Sequence, residues 1–98
     1  MKGRVKRLEK QTVSKVDDAG YEIWGSREYM VYAVVKVYDL DDEVYIDIRN
    51  EILEYYDVNK IYPNIFDSAW NSLVECKVDV EEDFNGDYYI VDLKSYLG

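Results

Sequence analysis

The 98-residue chain contains no histidine, one cysteine (Cys76) and one proline (Pro63). The lack of histidine removes the commonest general base and the commonest metal ligand, so most hydrolytic chemistry becomes harder to build. A single cysteine excludes an intramolecular disulfide and fits a reducing compartment. No apolar run approaches the roughly 20 residues of a membrane helix, and none follows the basic start as in a signal peptide. We therefore expect a soluble protein in the cytoplasm of a cell or of an infected host.

Linker-like composition is also missing. The chain has no internal repeat, no low-complexity tract and no stretch rich in proline, glycine and serine. Its length suffices for one hydrophobic core and is too short for two. The sequence predicts a single domain over residues 1–98, with residues 1–10 as a candidate flexible basic arm.

Charge is distributed unevenly along the chain. Of 12 basic and 21 acidic residues, six basic ones and only one acid, Glu9, fall within the first 16 positions. That segment carries +5, whereas the other 82 residues carry −14. Such a split governs partners and solubility more than topology, and it favours electrostatic binding. The acidic body opposes nucleic acid, so we expect a basic protein partner. Pairing of the basic segment with an acidic helix predicted over 41–56, within one chain or across a dimer, is the alternative.

Hydrophobic periodicity predicts an α+β fold with the order β-β-β-α-α-β-β, two helices packed on a mostly antiparallel sheet. Period-2 alternation and turn residues predict the strands, and Asn85-Gly86 predicts a two-residue hairpin turn. A period of 3.6 with Asp41 and Asn64 as N-caps predicts the helices. The predicted elements are strands in the second half of 4–16, at 21–24 and at 27–38, helices at 41–56 and 64–76, and strands at 78–84 and 87–93.

The predicted strand 27–38 is largely apolar on both faces. A strand of this kind is central, with helices on one side. The other side requires a partner or a layer of tyrosines, of which the chain has eleven.

An acidic stripe is the first functional candidate. On a helix over 41–56, acidic residues recur at helical spacing on one face, although like charges at that spacing cost about 0.2–0.5 kcal/mol per pair. A row of carboxylates can imitate nucleic-acid phosphates and occupy a basic groove, whereas an ordinary solvated helix face is the alternative. Tyrosines add broad contact area. The predicted partner-binding residues are Glu43, Asp47, Glu51, Glu54, Tyr32 and Tyr38.

The terminal hairpin carries Asp79 and, on its second strand, Ile90-Val91-Asp92-Leu93-Lys94. This pattern resembles the hairpin of PD-(D/E)xK nucleases, in which an acid and a D/E-x-K triplet hold a divalent metal and a lysine near the attacked phosphate. A two-residue loop would place Asp79 opposite Asp92, with Lys94 on the same face. The resemblance implies metal-dependent nuclease activity, but it covers one hairpin, and the chain ends at Gly98 where the family's core continues.

The leading hypothesis is a non-catalytic acidic binding module that needs no cofactor or metal. Its concrete form is an inhibitor that blocks the basic nucleic-acid-binding site of another protein, as small viral anti-restriction and anti-CRISPR proteins do. A structural subunit that forms a homodimer or larger homo-oligomer, through strand 27–38 or a sheet edge, is the alternative. The metal-dependent nuclease is a lesser alternative.

Overall fold

The computed structural model describes residues 1–97. The predicted order β-β-β-α-α-β-β and the α+β class are confirmed. A short 3₁₀ helix, Leu93–Tyr96, follows the last strand. The elements are β1 (Lys2–Val13), β2 (Glu28–Val37), β3 (Asp42–Asp47), α1 (Arg49–Tyr56), α2 (Pro63–Leu73), β4 (Lys77–Glu82) and β5 (Tyr88–Ile90).

The five strands form one antiparallel sheet in the order β3-β2-β1-β4-β5. Three consecutive strands with the fourth returning beside the first make a Greek key. The two edge strands, β3 and β5, contact each other, so the sheet curls into a partly open barrel. The OB-fold is a partly open five-stranded Greek-key barrel of this kind. Such an architecture hosts many functions and by itself assigns none.

The core fills the inside of the barrel and is covered by the two helices. Side chains such as Val5 on β1, Ile52 on α1 and Leu73 on α2 are completely buried. Burying a side chain of this size stabilises the fold by about 1.5–3 kcal/mol relative to leaving it exposed. No polar or charged residue among residues 1–97 is fully buried, although single polar atoms such as Nε of Arg4 and the hydroxyl of Tyr56 are.

The first strand bends so that it can pair on both sides. Its register with β2 shifts between Val5 and Arg7, which marks a β-bulge, and its first residues pair with β4. A bulge increases local twist and re-aims the strand. At Gly3, β1 lies so close to β2 that an added Cβ would be 2.7 Å from the carbonyl oxygen of Lys36 and 2.8 Å from Cγ1 of Val35.

The predicted basic arm over residues 1–10 is wrong. This segment forms most of β1, the central strand of the sheet. The ammonium group of Met1 donates a hydrogen bond to the carbonyl oxygen of Val80 at 2.8 Å. The pattern of residues 4–16 was irregular because the bulge interrupts the alternation that identifies a strand.

The predicted helix over 41–56 is wrong in its first half. Residues Asp42–Asp47 form β3, and helix α1 begins only at Arg49. The apolar residues Val44, Ile46 and Ile48 follow period 2, whereas Val44, Ile48 and Ile52 recur at helical spacing, and pairing with β2 selects the strand. Asp41, the expected N-cap, adopts a left-handed conformation with φ 49° in the turn between β2 and β3.

The predicted strand over 21–24 is also wrong. These residues lie in the long loop between β1 and β2, where a single bridge pairs Val16 with Glu22. The third strand of the meander is therefore β3.

Helix α2 is shorter than predicted. It begins at Pro63, a residue favoured in the first turn, and ends at Leu73 because Val74 is extended. No helix within residues 1–97 is long and apolar enough to cross a membrane.

The terminal hairpin forms with a different register from the one predicted. Val80 pairs with Ile90, not Val91, and the strands are joined by the five residues 83–87. Asp83 begins the loop, and its N–H donates to the carbonyl oxygen of Asp87 at 2.9 Å. The Asn-Gly pair therefore belongs to a longer turn.

A candidate binding cleft between the sheet and the terminal hairpin

Three of the five basic side chains of β1, those of Lys2, Arg4 and Arg7, are paired with acids. Lys2 lies 2.6 Å from Asp79 on β4, and Arg4 lies 3.6 Å from Glu75 just before β4. Arg7 is paired with acids of β1 and β3. Pairing within the chain, one of the sequence-based alternatives, thus neutralises much of the +5 segment. The partners lie beside β1 in the sheet and not on helix α1.

Arg7 anchors a polar layer over the outer face of β2. Its guanidinium contacts Glu9 at 2.9 Å, Glu43 at 3.4 Å and the hydroxyl of Tyr45 at 3.2 Å. In the strand register, Val34 lies between Arg7 and Tyr45, and it is completely buried although it points outward. Of the two coverings expected for the apolar strand, the structure shows the tyrosine-bearing layer on this part of it.

A cleft of about 420 Å³ opens between the β2–β3 face and the terminal hairpin. We call it the acidic tyrosine cleft. Four tyrosines and three aspartates line it, and among the described residues no lysine or arginine does. A smaller hollow of about 240 Å³ shares Tyr32 and Tyr45 with the cleft and is also lined by Glu9, Lys10 and Gln11. The lining residues of the cleft are Tyr32, Tyr45, Asp47, Asp83, Asp87, Tyr88 and Tyr89.

Backbone amides fix two of the carboxylates in the cleft. Oδ1 of Asp47 accepts the N–H of Arg49 at 3.0 Å. Oδ1 of Asp83 accepts the N–H groups of Asn85 and Asp87 at 2.9 and 3.0 Å. Each carboxylate therefore has a set orientation, and its Oδ2 takes no hydrogen bond from the described chain. A cationic ligand would therefore bind carboxylates whose orientation is already fixed, so less conformational entropy is lost on binding.

Hydrogen bonds also hold two of the tyrosine rings. The hydroxyl of Tyr89 donates to Oε2 of Glu81 at 2.8 Å, and this bond raises the pKa of Tyr89. Tyr45 is held by Arg7 and Glu9. Burial is the main cause of the raised pKa of Tyr88. Tyr45 and Tyr89 remain 57% and 41% exposed, so both offer surface to a partner.

The loop at the rim of the cleft is one of two copies of the same turn. Asp83 and Asp17 each accept two backbone amides through Oδ1, and each begins an Asp-x-x-Gly-x turn whose glycine has φ above 80°. The second residue of the rim turn is Phe84, which is fully exposed. A rigid loop that presents a bare aromatic ring is a ready anchor for a protein partner.

The six residues predicted for partner binding do not form one surface. Tyr32 and Asp47 line the cleft, while Glu43 lies beside it on β3 and is paired with Arg7. Tyr38 follows β2 and is half exposed. Glu51 and Glu54 are on α1, where Glu54 contacts Lys94 at 3.0 Å. The prediction that the four acidic residues share one helix face is therefore wrong, because the first half of the predicted helix is strand β3.

Sequence reasoning missed five of the seven lining residues: Tyr45, Asp83, Asp87, Tyr88 and Tyr89. The alternation of Tyr45 and Asp47 with Val44 and Ile46 was a strand signal that placed both on the outer face. Contact between β3 and β5 depends on the curvature of the sheet, which no local pattern encodes.

The nuclease-like hairpin is arranged differently from the predicted geometry. Asp79 is bonded to Lys2, and this hydrogen bond lowers the pKa of Asp79. Its carbonyl oxygen accepts the N–H of Val91, and Asp92 lies beyond the strand with φ 55°. Lys94 contacts Glu54. The prediction that Asp79 faces Asp92 is therefore wrong. Within residues 1–97, no three acidic or cysteine side chains are grouped so that they could hold a metal ion.

A larger hollow, of about 530 Å³, lies at the loop between β1 and β2. Its lining includes Trp24, which is 97% exposed, together with Lys15 and Lys60. Lys60 already donates to the carbonyl oxygen of Gly25 at 2.6 Å. Its lining mixes apolar, basic and acidic groups without a shared chemistry. We therefore regard the smaller acidic tyrosine cleft, where like groups converge, as the candidate site.

Comparisons with protein-family models, with curated proteins and with solved structures found no match to this chain. A function must therefore be argued from the geometry and charge of the site.

Proposed function

We propose that the protein is a non-catalytic binding module that docks its acidic tyrosine cleft on a basic site of another protein. The observation that supports this proposal is the lining of the cleft by four tyrosines and three aspartates, with no described lysine or arginine among them. Carboxylates attract a cationic surface and orient it, and tyrosine rings supply contact area. The net charge of −9 adds long-range attraction to the same kind of partner.

Nucleic acid is the competing occupant, because OB-type barrels bind oligonucleotides on the face of their second and third strands. Charge argues against it here. Phosphate binding depends on lysine and arginine, whereas Asp47, Asp83 and Asp87 line this cleft. Of the basic residues of β1 that could serve phosphates, Lys2, Arg4 and Arg7 are already paired with acids, and Lys10 lies over the rings of Tyr29 and Phe66.

The narrower form of the proposal is an inhibitor that occupies a nucleic-acid-binding site. Such sites combine basic side chains for phosphates with aromatic or guanidinium surfaces on which bases stack. The cleft offers the complementary groups, namely fixed carboxylates beside exposed rings of Tyr45 and Tyr89. A protein of this kind would compete with oligonucleotide for its partner.

Capture at low salt, followed by elution with a salt gradient, tests the proposal. Tagged wild-type protein is compared with the double variant Asp47→Lys/Asp87→Lys, which reverses charge in the cleft. The control, Asp18→Lys/Asp67→Lys, makes the same charge change at exposed positions outside the cleft. We expect one basic nucleic-acid-binding protein to be retained by the wild type and the control, to be lost by the cleft variant, and to be displaced by oligonucleotide.

Equal loss of partner binding in both double variants would show that the partner is attracted to the overall charge, and it would reject the cleft as the binding site. Recovery of the protein alone, as a homo-oligomer that survives high salt, would replace the proposal with an assembly role. Binding of oligonucleotide by the isolated wild type, stronger than in Asp47→Lys/Asp87→Lys, would make nucleic acid the ligand. Thermal unfolding of all three proteins verifies that each is folded.

A further inference from the structure

We infer that the acidic tyrosine cleft selects arginine over lysine, and that its occupant is an arginine side chain projecting from the partner protein. The inference rests on the proposed function and specifies the chemistry that the cleft recognises. It is argued from the volume of the cleft, its rings, its carboxylates and an arginine that the chain already binds.

The volume limits what can enter. A cleft of about 420 Å³ lies at the small end of the range for ligand pockets, so it accepts a side chain or two and not a folded surface. A long side chain must therefore project from the partner. Phe84, fully exposed at the rim, is placed to contact the surface from which it projects.

The rings favour a planar cation. A guanidinium is weakly hydrated and stacks on aromatic faces, whereas an ammonium is compact and strongly hydrated. Tyr45 and Tyr89 are both held at their hydroxyl ends, so neither ring must be immobilised when the ligand enters. Preorganised rings favour the cation that uses ring faces, which is arginine.

The carboxylates favour a cation with several donors. Asp47 lies at the end of β3 and Asp83 on the hairpin loop, so the two acceptors approach from different walls of the cleft. Guanidinium carries five N–H donors spread over a plane, and ammonium carries three on one atom. A forked donor can reach acceptors on two walls and still stack on a ring, which a single ammonium nitrogen cannot do equally well.

The chain itself holds a guanidinium with the same set of groups. Arg7 is bound by the hydroxyl of Tyr45 and by two carboxylates, those of Glu9 and Glu43. Tyr45 thus lies between an arginine that belongs to the fold and the open cleft. One tyrosine with two acids is shown here to be a workable arginine site, and the cleft repeats that combination with Asp47 and Asp83.

Calorimetric titration with two short peptides tests the inference. The peptides are identical except that one carries two arginines and the other two lysines, so their net charges are equal. We expect the arginine peptide to bind about fivefold more tightly to the wild type, with the advantage persisting at high salt because stacking is less screened than charge. Equal affinity of the two peptides, with both weakened by salt, would overturn the selectivity and leave the proposed function standing.

Matched variants locate the effect. Asp83→Asn keeps an Oδ1 acceptor for the turn and removes the charge, and we expect it to weaken arginine binding severalfold. Asp17→Asn makes the same change in the identical turn outside the cleft and should leave the affinity unchanged. Tyr89→Leu should abolish the preference for arginine, whereas Tyr62→Leu, an exposed tyrosine outside the cleft, should not.

The remaining outcomes are also decisive. Binding of the arginine peptide that Asp83→Asn and Tyr89→Leu leave unaltered would place its site elsewhere and overturn the inference. Failure of both peptides to bind the wild type would overturn it as well. The salt-gradient capture with Asp47→Lys/Asp87→Lys then decides separately whether the cleft docks on an intact basic protein.

Discussion

Arg7 donates a hydrogen bond from Nη2 to the hydroxyl of Tyr45 at 3.2 Å. The same guanidinium contacts Glu9 and Glu43, and the buried Val34 lies between Arg7 and Tyr45 in the strand register. One basic residue therefore belongs to the cover of the sheet and also holds Tyr45, which lines the candidate cleft. The basic segment and the acidic surface, which look separate in the sequence, form one layer.

Substitution Arg7→Lys keeps the positive charge and replaces the planar guanidinium, with its several N–H donors, by a single ammonium group. Lysine cannot reach Tyr45 and two carboxylates together, so the ring of Tyr45 gains freedom that a ligand must remove on binding. We expect the affinity for the arginine peptide to fall about threefold, since immobilising one side chain costs about 0.5–1.5 kcal/mol. Calorimetry measures it. Arg27→Lys, which alters an arginine paired with Glu22 in the long loop, is the control. Unchanged affinity in Arg7→Lys would show that the hydrogen bond between Arg7 and Tyr45 does not contribute to binding.

Substitution Gly3→Ala tests whether residues 1–10 belong to the sheet. The added Cβ would meet the backbone oxygen of Lys36 at 2.7 Å, and a backbone atom cannot move aside cheaply. We expect a loss of about 1–3 kcal/mol in the free energy of unfolding, measured with urea. Gly20→Ala meets no atom within 4 Å and carries only the strain of φ 88°, about 1 kcal/mol, confined to the exposed loop. If the Gly3→Ala protein were as stable as the wild type, residues 1–10 would have to be a loose arm and not part of the sheet.

The sequence predicted the class and order of this fold because patterns local to the chain suffice for them. Helix α2, strand β2 and the terminal hairpin each carry periodicity or turn residues of their own. The boundary at Asp42–Asp47 failed because that segment satisfies two periods, and pairing with β2 decides between them. The cleft could be predicted only in part. Tyr32 and Asp47 were predicted to bind a partner, but four of their neighbours in the cleft come from the terminal hairpin, which is distant along the chain and is brought there by sheet curvature.

The pair formed by Lys2 and Asp79 gives an acid-dependent stability. A hydrogen bond from Lys2 lowers the pKa of Asp79 below its ordinary value of 3.8, so the folded state favours the ionised carboxylate. That contribution is present above pH 3.8 and disappears as the pH falls through the lowered pKa. We expect Asp79→Asn to be less stable than the wild type at pH 7, with the difference shrinking toward pH 3. Urea unfolding at both pH values measures it. A difference that stays constant would mean that the pair contributes nothing through ionisation.

The two Asp-x-x-Gly-x turns should differ in their effect on global stability although their hydrogen bonds match. Asp83→Ala removes the acceptor of two backbone amides in the turn that closes β4 on β5, whose Val80 and Ile90 are core residues. We expect a loss of about 1 kcal/mol in the free energy of unfolding. Asp17→Ala removes the same two kinds of hydrogen bond. Its turn, however, lies in the long loop between β1 and β2, at the far side of the isolated bridge between Val16 and Glu22. It can open without unfolding the barrel, so global stability should change by less than about 0.5 kcal/mol.

Hydrogen exchange distinguishes the two cases. In Asp17→Ala the amides of Ala19 and Tyr21 should exchange faster while those of the core strands keep their protection. In Asp83→Ala, the amides of β4 and β5 should lose protection together, because the turn and the barrel unfold as one unit. Equal effects of the two substitutions on global stability would contradict this, since they would mean that the long loop is as firmly integrated as the hairpin that forms one wall of the cleft.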